Sequence, residues 1–206
     1  MAKIKLLSAF LRVSLAFTGL ANIAPGWAEG ECDGLTSTPG VVQRHGVIEG
    51  TPRDDVIIGT PGDDHIRGSG GNDTICGEGG NDTISGGNGD DTIFGGSGDD
   101  HLAGKNGKDH IEGGPGDDQI SGGNGKDSLF GGAGDDNLAG GNGKDLMHGG
   151  EGNDDLSGGN GNDELWGDEG EDRLKGGNGR DELHYDQSDF DNTVCRRPDV
   201  CFTTAD

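Results

Sequence analysis

The sequence predicts an all-β fold, a right-handed parallel solenoid of about seven coils with two nine-residue repeats in each coil. Three observations lead to this fold. Residues 50–184 divide into fifteen consecutive nine-residue units without insertion or deletion; every unit has Gly at position 1, Asp at position 6 and Ile, Leu or Met at position 8; and from the fifth unit onward Asn occupies position 3 in alternate units only. Because the glycines fall at positions 1, 2 and 4 of nine, the every-third-residue spacing of collagen is excluded.

Each unit is predicted to consist of a six-residue turn and a three-residue strand. Glycine accepts positive φ and lets two backbones approach closely, as a tight turn requires. Positions 7 to 9 alternate polar, apolar and polar residues, which is the pattern of a short strand with one buried face. Three residues cannot hold a strand alone, so the units are expected to stack and bury the side chains at position 8 in one continuous ladder.

A second period, twice as long as the repeat itself, places two units in each coil. Position 5 alternates in step with the asparagines, between basic residues such as Lys108 and Lys126 and acidic residues such as Asp99 and Asp117. Odd and even units are therefore expected to turn at opposite edges, with two parallel sheets facing each other across a thin aliphatic layer. The stack would be roughly 35 Å long at the ~4.8 Å spacing of paired strands. The asparagines at position 3 are Asn88, Asn106, Asn124, Asn142, Asn160 and Asn178.

Stacking of alternate units puts the aspartates at position 6 in two columns. Carboxylates ~5 Å apart repel each other strongly unless a cation lies between them. Calcium suits such a gap because it takes about six to eight oxygen ligands from carboxylates and backbone carbonyls, whereas magnesium needs a tighter octahedron and soft metals need Cys or His. Each of the fifteen aspartates except the last two has a partner two units further on, which gives up to thirteen candidate calcium sites. The candidate ligands are Asp55, Asp64, Asp73, Asp82, Asp91, Asp100, Asp109, Asp118, Asp127, Asp136, Asp145, Asp154, Asp163, Asp172 and Asp181.

The repeat Gly-Gly-x-Gly-x-Asp-x-U-x, in which U is a large aliphatic residue, resembles the hemolysin-type calcium-binding nonapeptide of the RTX (repeats-in-toxin) family. The resemblance covers residues 50–184. It implies a parallel β-roll and calcium as the bound ion. Members of that family usually carry their repeats behind a large effector domain and leave the cell through an uncleaved carboxyl-terminal signal. This sequence departs from both habits, so neither toxin activity nor that export route is expected.

Composition indicates that folding depends on the cation. The chain has 28% hydrophobic residues and a formal net charge of -24. Low hydrophobicity with high net charge is typical of a disordered chain, because little apolar surface is available to offset the ordering entropy. Repeated extracellular calcium modules bind with dissociation constants of about 10⁻⁴–10⁻³ M. Such sites would be empty inside a cell and filled outside it, so the chain is expected to be exported disordered and to fold on arrival.

Residues 1–28 are interpreted as a cleaved secretory signal peptide. Lys3, Lys5 and Arg12 precede an apolar run over residues 13–24, and small residues precede the expected cleavage after Ala28. The alternative is a retained membrane anchor, but the apolar run is shorter than the roughly 20 residues that a spanning helix needs. The mature chain is therefore expected to be secreted and extracellular.

The repeats are expected to lie between two end caps. Residues 29–49 form the predicted N-terminal cap, in which Ile48 is in phase with the repeats while Gly46 stands where Asp should be. Residues 185–206 form the predicted C-terminal cap, since the terminal repeats of a solenoid must hide the last apolar rung.

Four cysteines in an exported chain indicate disulfides and permit three pairings. The favoured pairs are Cys32 with Cys76, which would tie the leading segment to the third repeat, and Cys195 with Cys201, which would close a short loop. Free thiols are the alternative, and the absence of metal-ligand spacing argues against zinc.

The expected function is that of a non-catalytic structural or binding module. The sequence has no His-Glu-x-x-His helix, no Gly-x-Ser-x-Gly elbow and no stretch outside the repeats long enough for a catalytic domain, which argues against an enzyme or a fragment of one. Neither nucleic acid nor a membrane-spanning segment is expected.

An adhesin or glycan-binding module is the alternative function. Phe94, Phe130 and Trp166 occupy position 9 of odd units, so they would form a line on one outer face, and exposed aromatics can mark a partner surface. The competing interpretation is that they only cover the sheet or mediate weak dimerisation. Three histidines at position 7 are expected to be solvated: His65, His101 and His110.

Overall fold

The computed structural model describes residues 35–39, 41–44, 47–185 and 200–203, and these form two sheets of nine strands each without a helix. The predicted all-β parallel roll is confirmed. No helix that could cross a bilayer occurs among these residues. The predicted signal peptide lies outside the described residues.

The first sheet, here called the even sheet, collects the strands of the even units together with two strands that precede the repeats. Its strands are parallel except for β1, which runs antiparallel to β2. In sheet order its strands are β1 (Val42–Arg44), β2 (Val47–Glu49), β4 (His65–Gly70), β6 (Thr83–Asn88), β8 (His101–Asn106), β10 (Gln119–Asn124), β12 (Asn137–Gly143), β14 (Asp155–Gly161) and β16 (Arg173–Gly179).

The second sheet, here called the odd sheet, collects the strands of the odd units and ends on a strand that follows the repeats. All of its pairs are parallel, including β17 with β18. In sheet order its strands are β3 (Val56–Ile58), β5 (Thr74–Cys76), β7 (Thr92–Phe94), β9 (His110–Pro115), β11 (Ser128–Ala133), β13 (Leu146–Glu151), β15 (Glu164–Glu169), β17 (Glu182–Tyr185) and β18 (Val200–Thr203).

The register between strands confirms that one coil contains two repeats. In the even sheet Ile120 lies opposite Leu102 on one side and Leu138 on the other. In the odd sheet Leu129 lies opposite Ile111 and Met147 in the same way. Equivalent positions of alternate units therefore form straight columns, and the turns of odd and even units lie at opposite edges.

Most strands are longer than the three residues predicted, so the prediction of a six-residue turn was wrong. Strand β10 runs through Gly122 and Gly123 to Asn124, which leaves only positions 4 to 6 for the turn. Gly123 has a φ of 112° and Gly125 a φ of 149°, a backbone region that glycine adopts without strain. Position 2 also holds four residues other than glycine at positive φ: Ser69, Glu78, Lys105 and Asp168. The glycine at position 1 has a different role, which concerns the aspartates.

The core is a single layer of aliphatic side chains between the two sheets. The side chain at position 8 is buried in every unit, and Ile57, Leu129 and Leu183 have no exposed area. Only every ninth residue contributes to this layer, together with Ile48 before the repeats and Tyr185 after them. Apolar burial per residue is therefore small, as the composition indicated.

Both ends of the stack continue into flanking segments. At the amino end Ile48 lies opposite Ile66, and Thr38 exchanges two hydrogen bonds with Val56 of β3, at 2.9 and 2.7 Å. At the carboxyl end the Tyr185 hydroxyl donates to the carbonyl oxygen of Leu174. The boundaries of the two caps stay predictions, because residues 29–34 and 186–199 lie outside the described residues.

Cys76 is buried in β5 and is disulfide-bonded. Cys32 and Cys195 both lie outside the described residues, so the pairings of Cys32 with Cys76 and of Cys195 with Cys201 also stay predictions.

Replacement of a core rung should destabilise the roll much more than replacement of an exposed leucine. Leu138 is completely buried, and Leu138→Ala should lower the free energy of unfolding in excess calcium by about 2–5 kcal/mol, because the thin core leaves a cavity. Leu35 is 39% exposed, and Leu35→Ala should change it by no more than about 0.5 kcal/mol. Urea denaturation followed by circular dichroism measures both, and equal losses would contradict the assignment of the core.

Candidate metal sites

The fifteen aspartates at position 6 are all buried, with at most 7% of any of them exposed. They stand in two columns, one at each edge, because each precedes a strand that pairs with the equivalent strand of the next coil. Burial of a carboxylate is expensive unless it is paired or hydrogen-bonded. The placement of these side chains is therefore the feature that needs an explanation.

One oxygen of the carboxylate is used to bridge successive coils. The backbone N–H of Asp100 donates to Oδ1 of Asp118 at 2.8 Å, and the N–H of Asp118 donates to Oδ1 of Asp136 at 2.7 Å. The same bond joins every aspartate to its equivalent on the next coil, up to Asp181. Each column is thus a chain of interlocked peptide and carboxylate groups.

The other oxygen, Oδ2, is buried without a hydrogen-bond partner in most of these aspartates. A buried polar atom normally finds a partner, and one without a partner suggests that a bound ion or water belongs there. The first two units differ, because Oδ2 of Asp55 accepts from the N–H and hydroxyl of Thr51, and Oδ2 of Asp64 accepts in the same way from Thr60. The unpartnered Oδ2 atoms belong to Asp73, Asp82, Asp91, Asp100, Asp109, Asp118, Asp127, Asp136, Asp145, Asp154, Asp163 and Asp181.

Glycines hold open the space around these oxygens. A Cβ on Gly113, at position 1, would collide with Oδ2 of Asp118 in the same unit. A Cβ on Gly125, at position 4, would collide with the carbonyl oxygen of Gly107 on the preceding coil and would lie 3.2 Å from Oδ1 of Asp127. The repeat therefore needs glycine where carboxylate and carbonyl oxygens converge.

The donor set fits calcium. It consists of carboxylate oxygens and peptide carbonyl oxygens, in turns that supply neither thiolate nor imidazole, which suits a hard cation with many oxygen ligands. The aspartates at position 6, together with the carbonyl groups of the glycine turns, are the residues that would hold such an ion. The bound ion would supply positive charge between carboxylates that otherwise repel each other.

Without metal, aspartates in the inner part of the columns have a raised pKa. Burial raises the pKa of Asp118 to about 8, and repulsion from Asp100, Asp136 and Asp99 adds to this effect. Burial likewise raises the pKa of Asp136 and Asp154 to about 7. Backbone hydrogen bonds offset part of each shift. The aspartates whose pKa is raised to about 6, again chiefly by burial, are Asp82, Asp91, Asp100, Asp109, Asp127, Asp145 and Asp163.

The three aromatic residues at position 9 lie on the odd sheet as predicted, but they belong to a continuous ladder of six rings. Phe130, His148, Trp166 and His184 stack with interplanar angles of 7°, 8° and 2° in turn. The rings of His148 and Trp166 therefore have a neighbouring ring on both sides. A sugar that stacks on an aromatic side chain needs an open ring face, so this geometry favours a role in covering the sheet.

The expectation that His110 is a simple solvated residue was wrong. Its ring lies between Phe94 and Phe130, with centroids 6.4 and 5.3 Å away, and its Nε2 lies 2.8 Å from Glu112. Position 9 holds Glu112 in this unit, so the ring at position 7 fills the gap in the ladder. His65 and His101 are exposed as expected.

A small mixed cluster beside this ladder was also missed. Ligand atoms of Glu164, Glu182 and His184 lie within 4.8 Å of one another on the odd sheet. The signal in the sequence is Glu at position 7 of two units on successive coils, followed by His at position 9. Glu164 already accepts a hydrogen bond from the Trp166 indole at 3.3 Å, so the cluster is part of the ring ladder.

Comparison with known proteins agrees with this geometry. The family model of the RTX calcium-binding nonapeptide repeat (4 copies) matches residues 49–84, 77–111, 112–147, 121–156 and 148–183. Together these matches cover nearly the whole roll. No curated protein matches the chain.

A methyl group in one of the glycine cradles should damage the roll, whereas the same change at an open position should not. Gly125→Ala should cost about 2 kcal/mol or more of stability in calcium, because the backbone has positive φ and the Cβ collides with the neighbouring coil. Gly62 occupies the same position of the second unit, where a Cβ would meet nothing within 4 Å, so Gly62→Ala is the matched control. It should be neutral or stabilising by about 0.4–1 kcal/mol. If urea denaturation showed equal losses of stability for Gly125→Ala and Gly62→Ala, the result would argue against the role of the glycine cradles.

In metal-free buffer the chain should gain β structure as the pH falls. The aspartate pKa is higher in the fold than its ordinary value of 3.8, reaching about 8 at Asp118, so protonation favours the folded state. This stabilisation is absent above pH 8, grows as the pH falls through 8 to 6, and is complete below the ordinary pKa. Far-UV circular dichroism at pH 8 and pH 5.5 tests the direction, and apparent calcium affinity should fall over the same interval. A chain with more β structure at pH 8 than at pH 5.5 would contradict the expected sign.

Proposed function

The chain belongs to the RTX calcium-binding nonapeptide repeat family, and on that premise we propose that it is a secreted, non-catalytic module that folds when it binds calcium. The observation that carries this proposal is the row of buried Oδ2 atoms without hydrogen-bond partners. They lie beside glycines at position 1, as Oδ2 of Asp118 lies beside Gly113, and the carbonyl oxygen of Gly131 is close to the same glycine. A fold that repeats a buried, unpartnered carboxylate oxygen in successive coils depends on the ion that binds to these oxygens.

The balance of forces supports dependence on calcium. The core is one side chain thick, while the chain carries a formal net charge of -24 and buries fifteen carboxylates. Desolvation of so many carboxylates without a counter-charge costs more than a thin apolar layer returns. A ligand that binds only the folded state stabilises it in proportion to the logarithm of its concentration. Calcium binding and folding are therefore one process in this proposal.

Secretion is supported by the predicted signal peptide over residues 1–28 and by the high concentration of calcium outside cells. Extracellular calcium modules work at dissociation constants of about 10⁻⁴–10⁻³ M, far above the concentration inside a cell. A chain of this kind would remain unfolded during export and fold outside. We propose up to thirteen ions, one for each pair of aspartates on successive coils.

A structural or binding role, as opposed to a catalytic one, is supported by the sameness of the sites. The buried charged side chains among the described residues are the aspartates of the two columns. Catalysis by general acids and bases needs groups with different roles and different pKa values at one place. Identical sites repeated along two edges suit ion binding. The adhesin alternative has weaker support, because the inner rings of the aromatic ladder stack on each other.

Calcium should convert the chain from little regular structure to the full roll. A calcium titration at pH 7.5, followed by far-UV circular dichroism, should show a cooperative gain of β signal, because each ion joins two coils. Full β content in excess chelator at the same pH would overturn the proposal.

Aspartates inside a column should hold two ions, and those at its ends one. Asp118 has column neighbours on both sides, Asp100 and Asp136, whereas Asp181 has only Asp163. Asp118→Ala should therefore lose about two calcium ions per chain and Asp181→Ala about one, as measured by equilibrium dialysis. Equal losses would contradict sharing of each aspartate between two sites.

A further inference from the structure

The two edges of the roll carry different charges at position 5, next to the metal columns. The residue at position 5 is exposed in every unit. On the even edge the residues are acidic or neutral: Asp63, Asn81, Asp99, Asp117, Asp135, Asn153 and Glu171. On the odd edge three such residues, Asp54, Asn72 and Asp90, are followed by a basic segment: Lys108, Lys126, Lys144, Asn162 and Arg180.

The acidic residues of the even edge are held beside the column by the backbone. Oδ1 of Asp99 accepts from the N–H of Asp117 at 3.1 Å, and Oδ1 of Asp117 accepts from the N–H of Asp135 at 2.9 Å. Oδ1 of Asp135 accepts from the N–H of Asn153 at 2.8 Å. Each of these carboxylates therefore lies between two coils, at the level where an ion between two aspartates of the column would lie.

Lysine cannot make this bond, because it has no acceptor atom. Where the odd edge has an Asx residue at position 5 the bond is present, as from the N–H of Lys108 to Oδ1 of Asp90 and from the N–H of Arg180 to Oδ1 of Asn162. From Lys108 to Lys144 the carboxylate is replaced by a cationic side chain. The candidate sites between Asp109 and Asp181 are thus flanked by positive or neutral residues.

The size of the effect follows from Coulomb's law. Position 5 is adjacent in the chain to the ligand at position 6, which places its charge about 8 Å from a divalent ion. In water at physiological ionic strength, with a Debye length of about 8 Å, one unit charge at that distance changes affinity about twofold. A site with two acidic flanking residues and a site with two flanking lysines therefore differ in calcium affinity by about tenfold or slightly more.

We infer that position 5 divides the calcium sites into two classes, a tighter one along the even edge and the first coils of the odd edge, and a weaker one along the basic segment. This inference rests on the proposed function. The tighter sites fill first. The two sites between Asp109 and Asp145, each flanked by two lysines, fill at about tenfold higher calcium concentration than the two sites between Asp100 and Asp136, each flanked by two aspartates. The two sites between Asp145 and Asp181 have one positive flank each, because position 5 is Asn162 there, and they lie between these extremes. Lys108, Lys126 and Lys144 are therefore determinants of affinity without being ligands.

Asparagine provides the matched substitution, because the chain already uses Asn at position 5. It keeps the Oδ1 acceptor where it replaces Asp, and where it replaces Lys it adds the acceptor that Asn162 has. Isothermal titration of the full chain with calcium should show two phases. The Lys108→Asn/Lys126→Asn/Lys144→Asn variant should move the weaker phase to about fourfold lower calcium, since two flanking positive charges are removed from the inner sites. The Asp99→Asn/Asp117→Asn/Asp135→Asn variant should move the two sites between Asp100 and Asp136 to about fourfold higher calcium, and so broaden the tighter phase towards the weaker one. The number of ions should stay the same in both.

Single ligand variants assign the phases to the edges. Asp118→Ala should remove ions from the tighter phase, and Asp127→Ala should remove ions from the weaker phase. In 1 M salt, where the Debye length is about 3 Å, the two phases should merge. Opposite assignments, or phases that do not respond to either triple variant, would overturn the inference.

The outcome is separable from that of the proposed function. A wild-type chain that folds with calcium in a single phase overturns only the division into two classes. A chain that binds no calcium overturns the proposed function as well, and circular dichroism on the same samples distinguishes the two results.

Discussion

The structure depends on one constraint, which is that two columns of carboxylates are buried at the edges of a very thin core. Position 6 must be Asp to bridge coils, and position 1 must be Gly because a Cβ would strike the same carboxylate. Positions 2 and 4 favour Gly because the chain passes there with positive φ, against the carbonyl groups of the preceding coil, although position 2 also holds residues such as Ser69 and Lys105 at positive φ. The aliphatic ladder is thin, and under the proposed function the cation that fills the space between the carboxylates is a structural component in the same sense as a side chain.

The length of one coil and the placement of the aspartates in two columns could be predicted from the sequence, because both follow from the spacing of residues along the chain. The alternation at positions 3 and 5 indicates two units per coil, and the register of Ile120 with Leu102 and Leu138 shows the same spacing. Strand length could not be predicted in this way. Glycine at positions 1 and 2 suggests a turn, yet β10 continues through Gly122 and Gly123, since Gly123 and Asn124 pair with the equivalent residues of the strands on both sides. Tertiary pairing overrides local propensity here.

The ring ladder shows a second limit of pattern analysis. Phe94, Phe130 and Trp166 are recognisable as a line, but the sequence does not show that one ring from position 7, that of His110, completes a ladder of rings from position 9. His110 belongs to the ladder because Glu112 leaves a gap that a neighbouring ring can reach. Ring orientation depends on side-chain rotamers, and no periodicity encodes them. Of the two interpretations of this face, the ring ladder favours a packed strip that covers the sheet over a platform for a ligand.

Because every coil repeats the same contacts, the molecule has a natural increment of length. Insertion or deletion of one whole coil would leave each column continuous, with Asp above Asp and the amides of Asn106 and Asn124 still joined as they are at 2.8 Å. An insertion or deletion of a single repeat would instead transfer all later units to the opposite edge, so that lysines would continue the acidic row and the chain of asparagine amides would be cut. Duplication of gene segments within such a protein is therefore tolerated when it adds whole coils of two repeats, and it disrupts both columns when it adds a single repeat.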